Sequence, residues 1–298
     1  AHVGEVPDQT DGPESGHHHT DATTQTPMPT GDDEAEVAEH EECGGTERVN
    51  RVVDALIDHA RGDGTCSAIL GELLESGVFE APPLIAILPG GTANMNAGDI
   101  GIRGSLAKAT DRFCRWCESG QDASAERASR SLLRVQLATD PPPRSGMFLG
   151  AGAVIQGTDY AHAEIHSRGL RDDFSLALGV LRTLWGLSRN DPKFRENTPV
   201  DLAIDNKDPE HHNMLILAMS TLHRLAFGMQ PFWGKDDGNM RITLIEQDCT
   251  RFVRTFVSIL RGKPNSNAMP MQGYFSYNAN SVTLDIAGKL NLDGEVFA

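Results

Sequence analysis

The second half of the chain alternates. Leu133, Val135 and Leu137 are apolar at every other position, as are Val200, Leu202 and Ile204, then Ile242 and Leu244, then Val282, Leu284 and Ile286. A period of two turns one side of an extended chain toward a core, so each run predicts a strand with one buried face. Helical spacing interrupts the strands near Phe174 to Leu187 and over Phe252 to Leu260. The first half has a different texture. Val52, Val53, Leu56 and Ile57 predict an amphipathic helix. Cys66, Ile69, Leu70, Leu73 and Leu74 predict another, with Gly77 placed to end it. A further helix starts near Ser105, with Leu106, Ala109, Phe113 and Cys117 on a face expected to pack in the core. The five apolar residues Leu84 to Leu88, bounded by prolines and glycines, predict a buried parallel strand. An α/β part is thus expected to precede a β-rich part, with the boundary near residues 125–130.

Two glycine loops carry candidate chemistry. Leu84 to Leu88 runs into Pro89-Gly90-Gly91-Thr92-Ala93-Asn94, and Gly62-Asp63-Gly64-Thr65 opens the helix that contains Leu70. Glycines let backbone approach a ligand closely, and Asn94 is suited to cap a following helix. A glycine turn at a helix N-terminus offers free N–H groups and a positive dipole end to a phosphate. Two such loops can form two walls of one cleft. Further along stand Asp237-Gly238-Asn239 and Asp293-Gly294-Glu295. Taken alone, each Asp-Gly reads as a turn.

Taken in order, these segments resemble the diacylglycerol kinase catalytic-domain family, in particular its soluble bacterial lipid kinases. The family pattern runs Gly-Gly-Asp-Gly-Thr, Pro-Leu-Gly-Thr-x-Asn-Asp, Pro-x-Ala…Asp-Gly, Asp-Gly-Glu. Here it stands as Arg61 to Thr65, Pro89 to Met95, Pro231 through Lys235-Asp236-Asp237-Gly238, and Asn291 to Glu295. The resemblance covers roughly residues 61 to 298. Arg61 replaces the first glycine, and Gly90 and Met95 replace a leucine and an aspartate. Residues 1 to 60 show no Asn-Pro-x-x-Gly phosphate loop and no strand before Arg61, so the nucleotide domain is expected to be incomplete at the N-terminus.

The resemblance implies an α/β chain with a two-domain fold like that of lipid kinases and NAD kinases. An incomplete α/β nucleotide-binding domain (46–128) would precede a β-sandwich-like lipid-binding domain (129–298), with the cleft between them. It implies ATP and Mg2+ as cofactors and a lipid hydroxyl as acceptor, on diacylglycerol or a related lipid. Gly62, Asp63, Gly64, Thr65, Gly91, Thr92 and Asn94 would position the nucleotide. Asp293 would be the general base, with Asp63 the next candidate, and Glu295 its helper or a magnesium contact. Asp237 would bind a magnesium ion outside the phosphate site. Phosphoryl transfer needs these parts: phosphate positioning, charge neutralisation and a proton acceptor. Two alternatives stand beside this reading, an NAD kinase-like enzyme and a degenerate member that binds lipid or a partner without turnover.

Charge narrows the partners. The formal net charge is −16, but thirteen of the 42 acids and only one of the 26 bases fall in residues 1 to 48. The acidic segment 1–45 is therefore expected to be disordered, and the rest is nearly balanced. A nucleic-acid partner is excluded for want of a basic footprint. The best apolar stretch, Met214 to Met229, is broken by His223 and Arg224, so no transmembrane segment is expected. Five scattered cysteines point to a reducing cytosol, with peripheral attachment at the inner membrane face where lipid is met. A homodimer is left open. Cys114-Arg115-Trp116-Cys117 reads as helix packing, His162 and His166 as a solvated face, and His17 to His19 as adventitious. The stripe Phe174, Leu178, Leu181, Leu184 and Trp185 reads first as a core helix and second as an acyl-chain pocket.

Overall fold

A computed structural model describes residues 2–5, 63–75, 85–91, 93–118, 126–138, 142–155 and 198–297. Within them lie the helices α1 (Asp63–Glu75), α2 (Met95–Asp99), α3 (Leu106–Glu118) and α4 (Phe252–Leu260), besides a helical stretch at 153–155 and two single 3-10 turns. The strands are β1 (His2–Glu5), β2 (Leu133–Gln136), β3 (Arg144–Gly146), β4 (Phe148–Gly152), β5 (Thr198–Ile204) and β6 (Glu210–Ser220). They continue with β7 (Met240–Glu246), β8 (Tyr274–Ala279), β9 (Ser281–Ile286), β10 (Leu290–Leu292) and β11 (Glu295–Phe297).

The strands form one sheet in the order β11-β10-β4-β6-β5-β9-β1-β2-β3, with β7 added to β6 and β8 to β7. The long β6 is its spine: β5 pairs with residues 210–214, β4 with 216–220, and β7 with 214–220 across an irregularity between Met214 and Ile216. Leu133 and Val135 of β2 share a buried cluster with Leu217 and Met219 of β6, Ile242 and Leu244 of β7, and Leu290 and Leu292 of β10. Strands far apart in the order meet there, so the sheet curls over a common interior. The other side of β6 and β7 is also covered, where Leu215, Ile216 and Ile245 meet Phe252 and Ile259 of α4. Burial on both faces explains why β6 reads as an unbroken apolar run rather than an alternating one. A third cluster, Leu132, Met147, Leu222 and Leu225, takes Leu70 of α1 and Met95 of α2, and so seats both helices on the sheet.

The alternating runs at Leu133, Val200, Ile242 and Val282 form the strands expected, and α4 spans the residues its periodicity predicts. Several expectations fail. Residues 85–90 form no strand, no described strand pairs with them, and Ile85 is 41% exposed. All described strand pairs are antiparallel rather than parallel. An apolar run decides only that a segment can extend; the ladder partner comes from elsewhere in the chain. Disorder over 1–45 does not hold at its start, because β1 lies between β9 and β2; residues 6–45 lie outside the described residues. Only Ala109 of the α3 face is buried, while Leu106 and Phe113 are exposed. Cys114 and Cys117 are exposed free thiols, so this face does not pack in the core. The helix predicted at 174–187, the pair His162 and His166, and His17 to His19 lie outside the described residues.

Candidate active site

The hairpin β10–β11 turns on two residues, Asp293 at φ 48° and Gly294 at φ 100°. Consecutive left-handed residues match the twist of a tight hairpin, and Asp-Gly is a pair that accepts them. The turn reading of Asp293-Gly294-Glu295 is therefore correct, and it does not compete with a chemical role. The turn carries the Asp293 carboxyl inward, to 7% exposure, whereas Glu295 is exposed.

Asp293 is held on every side. Oδ1 accepts from Phe148 N–H at 2.9 Å, and Oδ2 accepts from Met147 N–H at 2.8 Å and from the Ser67 hydroxyl. Its own N–H donates to the Phe148 carbonyl at 2.9 Å. The carboxyl thus locks the hairpin to the β3–β4 junction and to α1. Gly146 makes room for it: a Cβ there would lie 2.4 Å from Leu292 Cδ1 and 2.9 Å from Asp293 Oδ2. Burial pushes the Asp293 carboxyl up from 3.8 to about 7, with the Asp63 carboxylate adding to the rise and the three donors opposing it.

The first glycine motif meets this carboxyl. Asp63, Gly64 and Thr65 are the first turn of α1 rather than a loop before it, and a Cβ on Gly64 would stand 3.4 Å from the Asp293 carbonyl. Gly62 lies outside the described residues. Asp63 Oδ2 accepts from Met95 N–H at 2.9 Å and Oδ1 from Asn96 N–H at 3.0 Å. The N-terminus of α2, expected to receive a phosphate, is thus closed by a carboxylate of the chain itself. Burial holds the Asp63 carboxyl above its ordinary range, against those two N–H bonds.

The second glycine motif differs from expectation as well. Asn94 sits at φ 46° in the N-cap position of α2, but its side chain does not cap the helix. Oδ1 accepts from Gly91 N–H at 2.8 Å and Nδ2 donates to the Gly91 carbonyl at 2.7 Å. Asn94 therefore closes the loop on itself, a use of a short amide side chain in a left-handed residue. Thr92 lies outside the described residues.

Two contributors, Ser67 and Asn96, escaped sequence reasoning. Ser67 donates to Asp293; it lies one helical turn from Asp63, and that i,i+4 polar spacing was the available signal. Asn96 is 1% exposed; its side-chain amide faces the Cys66 thiol and finds no oxygen or nitrogen partner. A buried amide with spare hydrogen-bonding capacity beside the Asp63 carboxylate suits a polar group brought by a ligand. Cys66 lies in the same cluster; burial pushes its thiol to about 11, so it is a neutral packing group rather than a nucleophile.

Asp237 stands apart. It is exposed in the segment before β7, where the Asp236 carbonyl accepts from Asn278 Nδ2 at 2.9 Å. Gly238, at φ 144°, abuts the Ala279 backbone, where a Cβ would come within 2.5 Å. Among the described residues no three His, Cys, Asp or Glu side chains gather in a way that could hold a metal. The residues fit magnesium only as one carboxylate completed by carbonyls and water.

Residues 13–122 match the profile of the diacylglycerol kinase catalytic domain. The match starts inside the acidic segment and ends before Asp237 and Asp293. No curated protein matches the chain in sequence. Among solved structures, a protein of Bacillus anthracis str. Sterne assigned as a diacylglycerol kinase aligns with a TM-score of 0.52 at 19% identity, over 78% of this chain and 69% of that one. A diacylglycerol kinase crystal structure from the same organism aligns at a TM-score of 0.47 and 17% identity, over 79% and 67%. The first alignment shows the fold, a mixed α/β chain with a β-rich sheet, consistent with the two-domain lipid-kinase architecture.

Proposed function

We propose that the chain is an ATP-dependent lipid kinase that transfers a phosphoryl group to the hydroxyl of diacylglycerol or a related lipid. One observation carries this reading. Asp63 and Asp293, from motifs at opposite ends of the resemblance, converge through Ser67 and the seat of α1 on the sheet. The first turn of α1 and the self-closed Gly91–Asn94 loop, with Gly62 and Thr92 in the same motifs, are the nucleotide-positioning elements. ATP supplies the phosphoryl group, and Mg2+ neutralises its charge.

The chain's own residues then handle one proton. The acceptor hydroxyl gives it to a carboxylate oxygen of Asp293, whose pKa of about 7 suits a base working near neutral pH. The Ser67 hydroxyl and the N–H groups of Met147 and Phe148 fix the carboxyl and stabilise its charged form. Asp63 holds α2, and with it the Gly91–Asn94 loop, against α1. Glu295, exposed two residues on, is the helper or a magnesium contact, and Asp237 provides the separate magnesium carboxylate. Exposed free thiols at Cys114 and Cys117 agree with a reducing cytoplasm, and a lipid acceptor places the chain peripherally at the membrane face.

The test is incubation with labelled ATP, Mg2+ and a mixed lipid extract. Label in a lipid is expected; label in NAD alone would assign an NAD kinase-like enzyme instead. The non-catalytic alternative also draws on one observation, the closure of the α2 N-terminus by Asp63. Absence of label in any acceptor, with nucleotide binding lost, would favour it.

A further inference from the structure

Beside α2 the fold gathers more positive charge than its carboxylates neutralise. Asp99, whose side chain has no exposed surface, accepts from Arg130 Nε at 2.6 Å and from the Arg224 backbone N–H at 2.7 Å. Arg241 donates to the Leu222 carbonyl at 2.8 Å and lies 3.3 Å from His223 Nδ1. Burial lowers the pKa of the Arg241 guanidinium, with Asp99 opposing and Arg130 adding to the fall. Burial likewise lowers that of His223, helped by Arg241 and Arg130. One carboxylate thus answers two guanidiniums, beside an imidazole that burial keeps neutral. Residues 221–234 add Arg224 and contain no acid, in a chain whose net charge is −16; Lys235 is followed by the exposed Asp236 and Asp237 and adds no net charge to this face.

The same segment displays an aromatic side chain. Phe227 is 53% exposed and sits at φ 57°, a conformation costly for a bulky residue. The turn that carries it is braced rather than loose. Leu225 N–H donates to the Met229 carbonyl at 2.8 Å, Gly228 N–H to the Leu225 carbonyl at 3.0 Å, and Leu225 and Ala226 are buried on either side. Gln230 N–H donates to the Leu260 carbonyl at 3.1 Å, which brings the exposed Arg261 and Lys263 alongside. A rigid turn that spends strain to hold an aromatic ring in water, within a cationic surround, has the composition of an interfacial anchor.

We propose that this face docks the chain on an anionic phospholipid surface, with Phe227 entering the acyl boundary and the arginine cluster meeting lipid phosphates. The inference rests on the lipid-kinase reading and names where that reaction meets its membrane. Charge complementarity selects the occupant: surface potential acts only within a Debye length, about 8 Å at physiological salt, so the local cationic face outweighs acids elsewhere in the chain.

The test is co-sedimentation of the full chain with phosphatidylcholine vesicles containing or lacking phosphatidylglycerol, without nucleotide. The chain pellets with the anionic vesicles and not with the neutral ones. Phe227→Asn lowers the partition coefficient by roughly tenfold while Tm is kept or raised, because asparagine tolerates positive φ. Arg224→Gln lowers it by roughly fivefold, the loss of one cation near the surface. Met271→Ser, at a residue 90% exposed on another turn, leaves partition unchanged. Absence of pelleting with anionic vesicles, wild-type partition in both Phe227→Asn and Arg224→Gln, or an equal loss in Met271→Ser overturns the docking face. The two readings fail separately. A chain that pellets but labels no lipid sinks the kinase and leaves the face. Lipid labelled in detergent micelles by a chain that never pellets sinks the face alone.

Discussion

Asp293→Asn separates a buried base from a buried brace. The aspartate accepts from Phe148 N–H on one oxygen and from Met147 N–H and Ser67 on the other. Asparagine keeps the shape but has a single acceptor oxygen, so its amide nitrogen must face a backbone N–H. One orphaned buried donor pair costs about 1–3 kcal/mol. Against this, asparagine removes a charge that the site resists. The folded carboxyl titrates at about 7 against an ordinary 3.8, so between those values the folded state holds a proton that the unfolded chain has lost. The unfolded state then binds fewer protons, and stability falls as pH rises through the window, by about 4 kcal/mol over its full width. Asparagine has no such slope. Denaturant unfolding should find the variant less stable than wild type near pH 4, by about 1–3 kcal/mol, and equal or more stable near pH 8. Turnover should fall by about 10²–10⁴-fold with nucleotide affinity retained. In the wild type, kcat/KM should rise with pH through about 7 as the base loses its proton. Parallel stability curves for the two proteins would refute the raised pKa. Wild-type turnover in the variant would refute the base and move the search to Asp63.

Gly146→Ala should cost about 1–3 kcal/mol and lower Tm, because the added methyl meets Leu292 at 2.4 Å; an unchanged melting curve would mean that the hairpin does not approach β3 this closely. Asn94→Ala loses both hydrogen bonds to Gly91 and places a Cβ-bearing residue without a polar partner at φ 46°. Calorimetric titration should show nucleotide affinity falling, with stability lower by about 2–3 kcal/mol; full affinity would remove the loop from the binding site. Asp237→Ala should raise the Mg2+ concentration needed for half-maximal turnover by roughly tenfold while leaving Tm in metal-free buffer unchanged. Identical magnesium titrations would dismiss that ligand.

Local pattern by itself determined much of this protein. Period-two alternation placed β2, β5, β7 and β9, because a half-buried strand must alternate whatever it pairs with. Helical spacing placed α1 and α4 for the same reason, and α3 by its period although that face is exposed. The order of short glycine and aspartate motifs pointed to the family whose profile matches residues 13–122. Only the tertiary structure decided who meets whom. Leu84 to Leu88 reads as a strand, yet residues 85–90 form none, since a ladder is a property of two segments and periodicity describes one. Asn94 has the chemistry of a cap, but Asp63 caps α2 from the other glycine motif, and so leaves Asn94 to bind Gly91. Asp293 is a turn residue in sequence. It becomes a candidate base only because the hairpin drives its carboxyl against Ser67 and the β3–β4 backbone, where burial raises its pKa. Burial, partner and pKa are sums over distant parts of the chain, and no window of sequence contains them.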